Sequence, residues 1–467
     1  MLAALGGCGR GANRSHSSDA LPPAASKGHA DAGATSAGPT REPGDPPIVA
    51  VCNDAAFLGD TEPRIAWNGS EFGVFFTSVC QPLQLAYARV SKDGARLSEP
   101  VTIYRGQDDV PCITRGVVAA HWRDGGYDVL AQVTPGKLAT GILRVAPDGH
   151  VIKPWTELPG RGRAGDDLTS AARGGFNPTG FATFRTVDPK PGVSEGNEEV
   201  WVTFHGPDGK LIGEQQVAAG GADCMDTMIS YGADSYLASC LHYDRPSPVT
   251  TTTRIELTTL RWSAKGGLLW KRTEGWPGPF DPKSHGHYGV LAVFVGHQAL
   301  QLGEREQHVQ PAENLGWLVR PISLDDGAPR AEFRFVGTSN VASPRALAST
   351  GRELAVLFGG SLLRRLDSDG TALAATDCFV GSLCMGRKDT SVSDIVWTGD
   401  RYGTCQWGFS RRPEPDEPCP SGYICDERGC AAGRPKPTRP VPPVRCPNLV
   451  YVPLVLPKVE DNSDWLP

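Results

Sequence analysis

The sequence lacks several features that would have pointed to common protein classes. It has no run of about 18 or more apolar residues, the length that a membrane-spanning helix requires. Helical periodicity of the i, i+3, i+4, i+7 type is not sustained anywhere. The net charge of −6 is mildly negative, without the basic signature of nucleic-acid-binding proteins. These absences exclude a helical bundle and a membrane-spanning helix, and they give no reason to expect a nucleic-acid partner.

Catalytic and cofactor motifs are also missing. No GxSxG, P-loop, HExxH or dinucleotide fingerprint occurs between a strand and a helix. The string DSDGTAL (367–373) has the acidic turn of a sialidase Asp-box but lacks its tryptophan. Gly-His and Trp-Asp dipeptides do not recur periodically, unlike in WD repeats. We therefore expect no cofactor, and no complete catalytic set can be assembled.

Glycine and proline, in contrast, are abundant. Gly (56) and Pro (40) make up about a fifth of the 467 residues, against about 12% in an average protein. Both are poor helix formers, so the composition favours strands joined by many turns. The 39% of hydrophobic residues is enough for a sizeable core.

Cysteine is abundant as well, with 13 residues and no CxxC pair of the kind that binds zinc. The string LGGC, ending at Cys8, resembles the lipobox of bacterial lipoproteins, in which the cysteine is acylated after cleavage. Only seven residues precede Cys8, fewer than a complete signal peptide contains. By that resemblance, Gly9 after the cysteine favours the outer membrane, with a lipid anchor as the sole membrane contact.

The twelve other cysteines are expected to form disulfides, since such a number is typical of an oxidising compartment. Two pairs are close in sequence: Cys224 with Cys240, and Cys378 with Cys384. The others comprise three near the N-terminus and five near the C-terminus: Cys52, Cys80, Cys112, Cys405, Cys419, Cys425, Cys430 and Cys446. Since both groups are odd in number, at least one bond is predicted to join the two ends, with Cys52 as the favoured N-terminal member.

One hairpin pattern recurs along the middle of the chain, as an apolar strand, a short glycine turn and an alternating strand. The clearest copies are RIAWNGSEFGVFF (64–76), VVAAHWRDGGYDVLAQV (117–133), MISYGADSYLASC (228–240) and DIVWTGDRYGTCQW (394–407). ALASTGRELAVLF (346–358) is a good match, and VLAVFVGHQALQL (290–302) and LTSAARGGFNPTGFATF (168–184) are weaker ones. The aligned turn glycines are Gly69, Gly125, Gly175, Gly232, Gly296, Gly351 and Gly399.

A second turn lies between consecutive copies, usually as Asp-Gly. It ends at Gly94, Gly149, Gly209, Gly266, Gly327 and Gly370. Asp-Gly favours a type I′ hairpin, in which both central residues have positive φ. Two hairpins a repeat make about four strands, which is the unit of a β-propeller blade.

The sequence therefore predicts an all-β fold, a β-propeller with seven blades; six blades are the alternative. Seven first hairpins but six second ones suggest that PIVAVC (47–52) or NLVYVPLVLP (448–457) completes the last blade. The predicted segments are 1–8 (lipobox remnant), 9–47 (disordered linker), 48–410 (propeller), 411–446 (Cys-rich module) and 447–467 (tail, with a possible closing strand). The Cys-rich module resembles the disulfide-dense EGF-like knots of secreted proteins.

The WNG-type hairpin followed by a DG turn, over residues 60–407, is similar to the repeats of propellers in bacterial surface lipoproteins. That resemblance implies the fold and a cell-envelope location, and it implies no catalytic residue.

Candidate site residues are few. His285 and His287 alternate in SHGHYG and could share a face toward Zn²⁺, with His297 or Asp226 as a third ligand. Because no ligand spacing completes the set, two histidines in a polar loop are the favoured interpretation and no metal is expected. The pairs Asp108–Asp109 and Asp166–Asp167 precede predicted inner strands and could act as acid and base on a sugar, or lie in solvated turns. Asp325, Asp326, Asp367 and Asp369 resemble fragments of calcium loops, but hairpin turns explain them better.

Four aromatic residues recur at equivalent hairpin positions: Trp67, Trp122, Tyr231 and Trp397. We expect them to pack between blades rather than to stack on carbohydrate. The favoured function is that of a monomeric envelope lipoprotein whose propeller binds a protein or glycan ligand without catalysis. The alternatives are a carbohydrate-active enzyme (a polysaccharide lyase or glycosidase) with acidic residues at the propeller mouth, and an envelope spacer without a ligand.

Overall fold

The computed structural model describes only part of the chain. The described residues are 49–52, 63–80, 83–106, 116–133, 139–160, 175–187, 199–218, 222–223, 228–244, 254–276, 290–305, 316–338, 344–358, 362–373, 390–400, 402–408, 423–426, 429–432 and 449–454. All of them belong to one compact unit, Asp45–Pro467; the other unit, Met1–Gly44, contains no described residue.

The described residues form thirty strands and no helix. In chain order the first fifteen are β1 (Val49–Cys52), β2 (Arg64–Trp67), β3 (Glu71–Cys80), β4 (Leu83–Ser91), β5 (Val101–Arg105), β6 (Gly116–Arg123), β7 (Gly126–Val133), β8 (Ala139–Val145), β9 (Val151–Glu157), β10 (Phe176–Asn177), β11 (Gly180–Val187), β12 (Glu199–His205), β13 (Leu211–Ala218), β14 (Ala222–Asp223) and β15 (Ser230–Gly232). The others are β16 (Ser235–Asp244), β17 (Arg254–Ser263), β18 (Leu268–Gly275), β19 (Val290–Val295), β20 (Gln298–Arg305), β21 (Gly316–Ile322), β22 (Arg334–Thr338), β23 (Pro344–Ser349), β24 (Glu353–Phe358), β25 (Leu362–Asp367), β26 (Thr390–Trp397), β27 (Tyr402–Gly408), β28 (Tyr423–Asp426), β29 (Gly429–Ala432) and β30 (Leu449–Leu454). No helix capable of crossing a membrane occurs among the described residues.

All strands except β28 and β29 make seven antiparallel sheets, which are the blades of a propeller. Blade 1 is β2–β5, blade 2 is β6–β9, blade 3 is β10–β13, blade 4 is β14–β18, blade 5 is β19–β22, blade 6 is β23–β25, and blade 7 is β26, β27, β30 and β1 in that spatial order. Blade 6 has three strands among the described residues, with an isolated bridge between Leu366 and Ala372. The prediction of an all-β, seven-bladed β-propeller is confirmed. A small separate hairpin, β28–β29, lies in the Cys-rich segment and pairs Cys425 with Cys430 in register.

The blades follow one another around a closed ring. The innermost strands of blades 1 and 2 contact each other, as do those of blades 4 and 5 and of blades 6 and 7, and β26 of blade 7 returns to β2 of blade 1. Most of the core lies between blades, because each sheet buries both faces against its neighbours. One such cluster, between blades 1 and 2, includes Phe75, Tyr87 and Tyr127, each with no exposed surface.

Blade 7 is assembled from both ends of the chain. Its third strand is β30 and its outermost strand is β1, with Val49 opposite Tyr451 and Tyr451 opposite Cys405. Both segments that were candidates to complete the last blade are therefore in the same sheet. Closure of this kind removes the unpaired strand edges that an open ring would expose.

The first hairpin of every blade is present, but two of the seven glycines predicted to form its turn lie outside that turn. Gly69, Gly125, Gly296, Gly351 and Gly399 have positive φ, as turn glycines should. Gly232 instead ends β15, and the turn consists of Ala233 and Asp234, both with positive φ. Gly175 precedes β10, and its hairpin turns at residues 178–179. A glycine beside a turn is not always the residue that makes it.

The second turns also differ in type from the prediction. All six glycines have positive φ, but the residues before them do not, so these turns are not type I′. In the first of them, Gly94 N–H donates to Ser91 O at 2.9 Å, and Ser91 N–H donates to Ala95 O at 2.8 Å. This is a type I turn followed by a left-handed glycine bulge, the common three-residue hairpin loop. The turn ending at Gly327 has one residue more.

Candidate functional site

The innermost strands of the seven blades enclose one cavity of about 460 Å³ on the propeller axis. Every blade contributes to its wall, through β2, β6, β10, β15, β19, β23 and β26. Its volume falls within the range of small-molecule sites. Because the strands of an antiparallel blade alternate in direction, the first and second turns of all blades lie at the same end of this channel. We call that end the turn mouth.

Four aromatic side chains line the cavity near the turn mouth, each at the end of an innermost strand. They are Trp67 of blade 1, Trp122 of blade 2, Tyr231 of blade 4 and Trp397 of blade 7. All four are only partly buried. They are the aromatic residues that recur at equivalent positions in the sequence.

Each of these rings rests on an aromatic residue directly across its own hairpin. The ring centroids are 4.7 Å apart for Trp67 and Phe72, and 4.8 Å apart for Trp397 and Tyr402. The other two pairs are Trp122 with Tyr127 at 4.9 Å and Tyr231 with Tyr236 at 5.3 Å. The second-strand partners are at most 1% exposed. Buried aromatics thus fix the orientation of the rings that face the channel.

The prediction that these aromatics pack between blades is confirmed for three of them. Trp67, Trp122 and Tyr231 pack against core clusters that lie between neighbouring blades. The same side chains also line the cavity, so the two interpretations weighed in the sequence are not exclusive.

Two charged side chains in the cavity wall join neighbouring blades. Asp394 of blade 7 accepts hydrogen bonds from Ile65 N–H of blade 1 and from Ile395 N–H, each at 3.0 Å. Arg64 of blade 1 donates through Nε to Val118 O of blade 2 at 2.7 Å. The carboxylate and the guanidinium are therefore engaged in holding the innermost strands together across two blade junctions.

His121 of blade 2 is a further titratable residue of the cavity wall. Its ring stacks on Phe176 of blade 3, with centroids 5.1 Å apart and an interplanar angle of 13°. Burial, together with the nearby Arg123, lowers the pKa of His121 to about 4. At neutral pH the imidazole is therefore uncharged, with one nitrogen as donor and the other as acceptor. Neither nitrogen has a hydrogen-bond partner among the described residues.

Most of the candidate residues from the sequence are not among the residues that the structure describes. Asp108, Asp109, Asp166, Asp167, His285 and His287 are all outside the described residues, as is Asp226. His297 is exposed in the turn between β19 and β20. Among the described residues, no group of three or more His, Cys, Asp or Glu side chains is placed to hold a metal ion.

The acidic turn residues act as hydrogen-bond acceptors within their own turns. Asp367 Oδ1 accepts from the backbone N–H groups of Asp369 and Thr371, at 2.9 and 2.7 Å. Asp326 Oδ1 accepts from Ala328 N–H at 3.0 Å, and this bond holds the pKa of Asp326 below its usual range. This geometry agrees with the hairpin-turn interpretation of these aspartates.

One cysteine side chain is among those that the structure describes. Cys240 is buried in blade 4 and disulfide-bonded. Cys8, Cys112, Cys224, Cys378, Cys384, Cys419 and Cys446 lie outside the described residues, and Cys52, Cys80, Cys405, Cys425 and Cys430 lie in strands. The predicted pairing scheme and the acylation of Cys8 stay predictions.

Sequence reasoning missed His121, Arg64 and Asp394. Their only local signal is their place in innermost strands that are otherwise apolar, at RIAW, AAHW and DIVW. A polar residue one to three positions before a recurrent aromatic could have marked them as channel residues.

Comparison with known families finds no matching family model, and comparison with curated proteins finds no match. Among solved structures, the chain is similar to a subtype N11 neuraminidase-like protein from a flat-faced bat strain, at 10% identity, 89% coverage of this chain, 92% of that chain and a TM-score of 0.40. It is also similar to the β-propeller domain of the Trilobed protease from Pyrococcus furiosus, at 9% identity, 74% and 90% coverage and a TM-score of 0.39.

A third similar structure is prolyl oligopeptidase B from Galerina marginata, at 10% identity and a TM-score of 0.40. The match covers 78% of this chain and spans half the length of that one. At such identities and scores, the assignment of the fold rests on the sheet topology of this chain itself.

Proposed function

We propose that this protein is a ligand-binding β-propeller of the bacterial cell envelope, tethered through an acylated Cys8. Its ligand, a protein or a glycan, is held at the turn mouth of the central channel. The observation that carries the binding proposal is the set of four partly exposed aromatic rings, from four blades, around one cavity. Large aromatic side chains held in place by packing provide contact area at little entropic cost.

Binding is favoured over catalysis by the chemistry of the described wall. Asp394 is the one carboxylate among the described residues that line the cavity, and both of its oxygens accept backbone N–H groups. Hydrolysis of a glycosidic bond uses two carboxyl groups, about 5–10 Å apart. The described part of the wall has a single carboxyl group, and both of its oxygens already accept hydrogen bonds.

The binding proposal is tested with a glycan array and a peptide array, each probed with the native protein and with Trp67→Leu/Trp397→Leu. We expect binding on one of the arrays, and we expect the double variant to lose it while keeping the native circular dichroism spectrum. Failure of the native protein to bind on either array, or equal binding by the variant, would contradict a site at the turn mouth.

The tether is tested separately by fractionation of the source cells, which express the protein from its natural gene either with Cys8 or with Cys8→Ser. We expect the native protein in the outer-membrane fraction, with a lipid-modified Cys8 by mass spectrometry, and the variant in the soluble envelope fraction. An unmodified Cys8 in the native protein would refute the anchor and leave the binding proposal intact.

A further inference from the structure

We infer that the ligand of the turn mouth is a carbohydrate built of neutral sugar rings, which stack on the channel aromatics and hydrogen-bond to His121. This inference rests on the proposed function and specifies the ligand class of the same site.

The arrangement of the aromatic rings suits a ligand with several flat faces. Trp67, Trp122, Tyr231 and Trp397 each contact the ring across their own hairpin. Among the described residues they make no ring contacts with one another. A cation is held where aromatic faces surround one point. Separate faces on different blades instead match successive rings of an oligosaccharide, whose C–H faces are attracted to the negative face of an aromatic ring.

The four aromatic rings are preorganised, because each packs against a buried aromatic side chain of its own hairpin. Phe72 and Tyr127 have no exposed surface, and Tyr236 and Tyr402 are 1% exposed. Their contacts hold the outer rings at fixed angles, such as 52° between Trp67 and Phe72. Prior ordering of this kind reduces the entropy lost on binding, which matters for a polar ligand that water also solvates well.

His121 supplies the polar part of the site. Its uncharged imidazole offers one donor and one acceptor, and neither is used by another described residue. A sugar hydroxyl donates and accepts at once, so it can bond to either nitrogen. The ring is held by its stack on Phe176, which leaves its edge for hydrogen bonding.

The charge of the wall argues against a strongly ionic ligand. Of the described lining residues only Arg64 and Asp394 carry charge at neutral pH, with opposite signs. Both bond to backbone groups of neighbouring blades. The wall therefore has no net charge to attract a polyanion or a polycation, and neutral sugars fit it best.

The probes are four neutral tetrasaccharides (cellotetraose, tetra-N-acetylchitotetraose, maltotetraose and mannotetraose) and a library of uncharged peptides of similar mass. Binding is measured by isothermal titration calorimetry and by quenching of tryptophan fluorescence. The variants are Trp122→Leu, which keeps apolar packing but removes the flat face, and His121→Phe, which keeps the stack on Phe176 but removes both nitrogens. His121→Gln restores a donor and an acceptor.

The matched control is Trp155→Leu. Trp155 is a partly buried tryptophan of the same blade that packs against Tyr104, with centroids 6.2 Å apart, and does not line the cavity. Circular dichroism and thermal unfolding check that each variant folds. Should Trp122→Leu fail to fold, His121→Phe and His121→Gln carry the test by themselves.

We expect at least one tetrasaccharide to bind, Trp122→Leu to weaken it by about tenfold or more, and His121→Phe to weaken it by about three- to tenfold. His121→Gln should recover part of that loss, and Trp155→Leu should stay within about twofold. Peptide binding that depends on Trp122, with no tetrasaccharide bound, overturns this inference and leaves the proposed function standing. Absence of binding by either probe class, or binding that no channel variant alters, overturns both.

Discussion

At the scale of single residues, the propeller depends on polar side chains that join one blade to the next. Glu353 of blade 6 receives two hydrogen bonds from Arg365, at 3.1 and 2.6 Å, and a third from Tyr402 Oη of blade 7, at 2.7 Å. An equivalent pair in blade 1 is bidentate as well: Arg89 donates two hydrogen bonds to the Glu71 carboxylate, at 2.9 and 2.7 Å. Such charge-assisted pairs specify geometry as well as contributing energy.

We expect Glu353→Ala to lower the free energy of unfolding by about 2–3 kcal/mol, because it leaves the largely buried Arg365 guanidinium and the Tyr402 hydroxyl without their acceptor. Urea denaturation measures the change. The control is Glu99→Ala, which removes an ion pair with Arg96 at a carboxylate that is 77% exposed and should cost about 0.5 kcal/mol or less. Equal effects of the two substitutions would contradict a role of Glu353 between blades.

His121 should make the stability of the protein depend on pH. Its pKa of about 4 in the folded state lies below its ordinary value of 6.5. The unfolded chain therefore binds the proton more strongly than the folded one. The contribution of uncharged His121 to the free energy of unfolding is fully present above about pH 6.5 and decreases as the pH falls toward 4. We expect a loss of ~1–2 kcal/mol over that interval, allowing for the partial exposure of the ring.

The measurement is urea denaturation between pH 4 and 7. His121→Phe should flatten this part of the profile, while His297→Phe, at an exposed turn histidine, should retain it. An unchanged slope in His121→Phe would assign the pH dependence to other groups.

At the scale of the elements, hairpin turns and close approaches of strands decide how the blades stack. Gly403 in β27 lies against blade 1, where a Cβ atom would come within 2.4 Å of the buried Phe72 ring. The backbone φ of Gly403 is not in the left-handed region that favours glycine. Close packing of blade 7 on blade 1 is therefore the reason that a glycine is needed at this position. The sequence alone does not show that glycine is needed there, because the contact joins residues more than three hundred positions apart.

We expect Gly403→Ala to destabilise the protein by about 1–3 kcal/mol, since the added methyl group must displace the Phe72 ring in a packed interface. Gly213→Ala is the control, because nothing lies within 4 Å of a Cβ atom there. That substitution should be neutral or stabilising by less than about 1 kcal/mol. Thermal unfolding of both variants gives the comparison, and a neutral Gly403→Ala would mean that blade 7 packs less closely on blade 1.

At the scale of the whole molecule, the fold depends on closure of blade 7 by strands from both ends of the chain. β30 is an internal strand, between β27 and β1, and Tyr451 pairs in register with Cys405 of β27 and with Val49 of β1. The ring thus depends on the longest-range strand pairing among the described residues, whose formation carries the largest loop-closure cost.

We expect Tyr451→Pro to lower the free energy of unfolding by about 3 kcal/mol or more, because proline removes a ladder hydrogen bond and distorts an internal strand. Val49→Pro, on the outermost strand, should cost less, since edge strands tolerate proline. Unfolding followed by circular dichroism and by tryptophan fluorescence measures both variants. Similar losses for the two would indicate that β1 contributes as much to the blade as β30 does, against the expectation for an edge strand.

The sequence by itself determined the class of fold, because its evidence is local and repeated. Turn glycines such as Gly94 and Gly149 follow from backbone sterics alone, and seven hairpins with recurrent aromatics at Trp67 and Trp122 imply seven copies of one blade. The sequence did not determine the exact residues of every turn. Ala233 and Asp234, and not Gly232, adopt positive φ because the flanking strands pair in that register.

The site, in contrast, was decided by the tertiary structure. Asp394 and Ile65, or His121 and Phe176, become neighbours only when the ring closes and brings innermost strands of different blades to one axis. Likewise, the sequence predicts that Trp67 packs between blades, and it does pack against a core cluster there. Its ring also lines a channel that exists only once the blades are assembled. Periodicity specifies the repeated unit, but the cavity is a property of how the units are arranged around it.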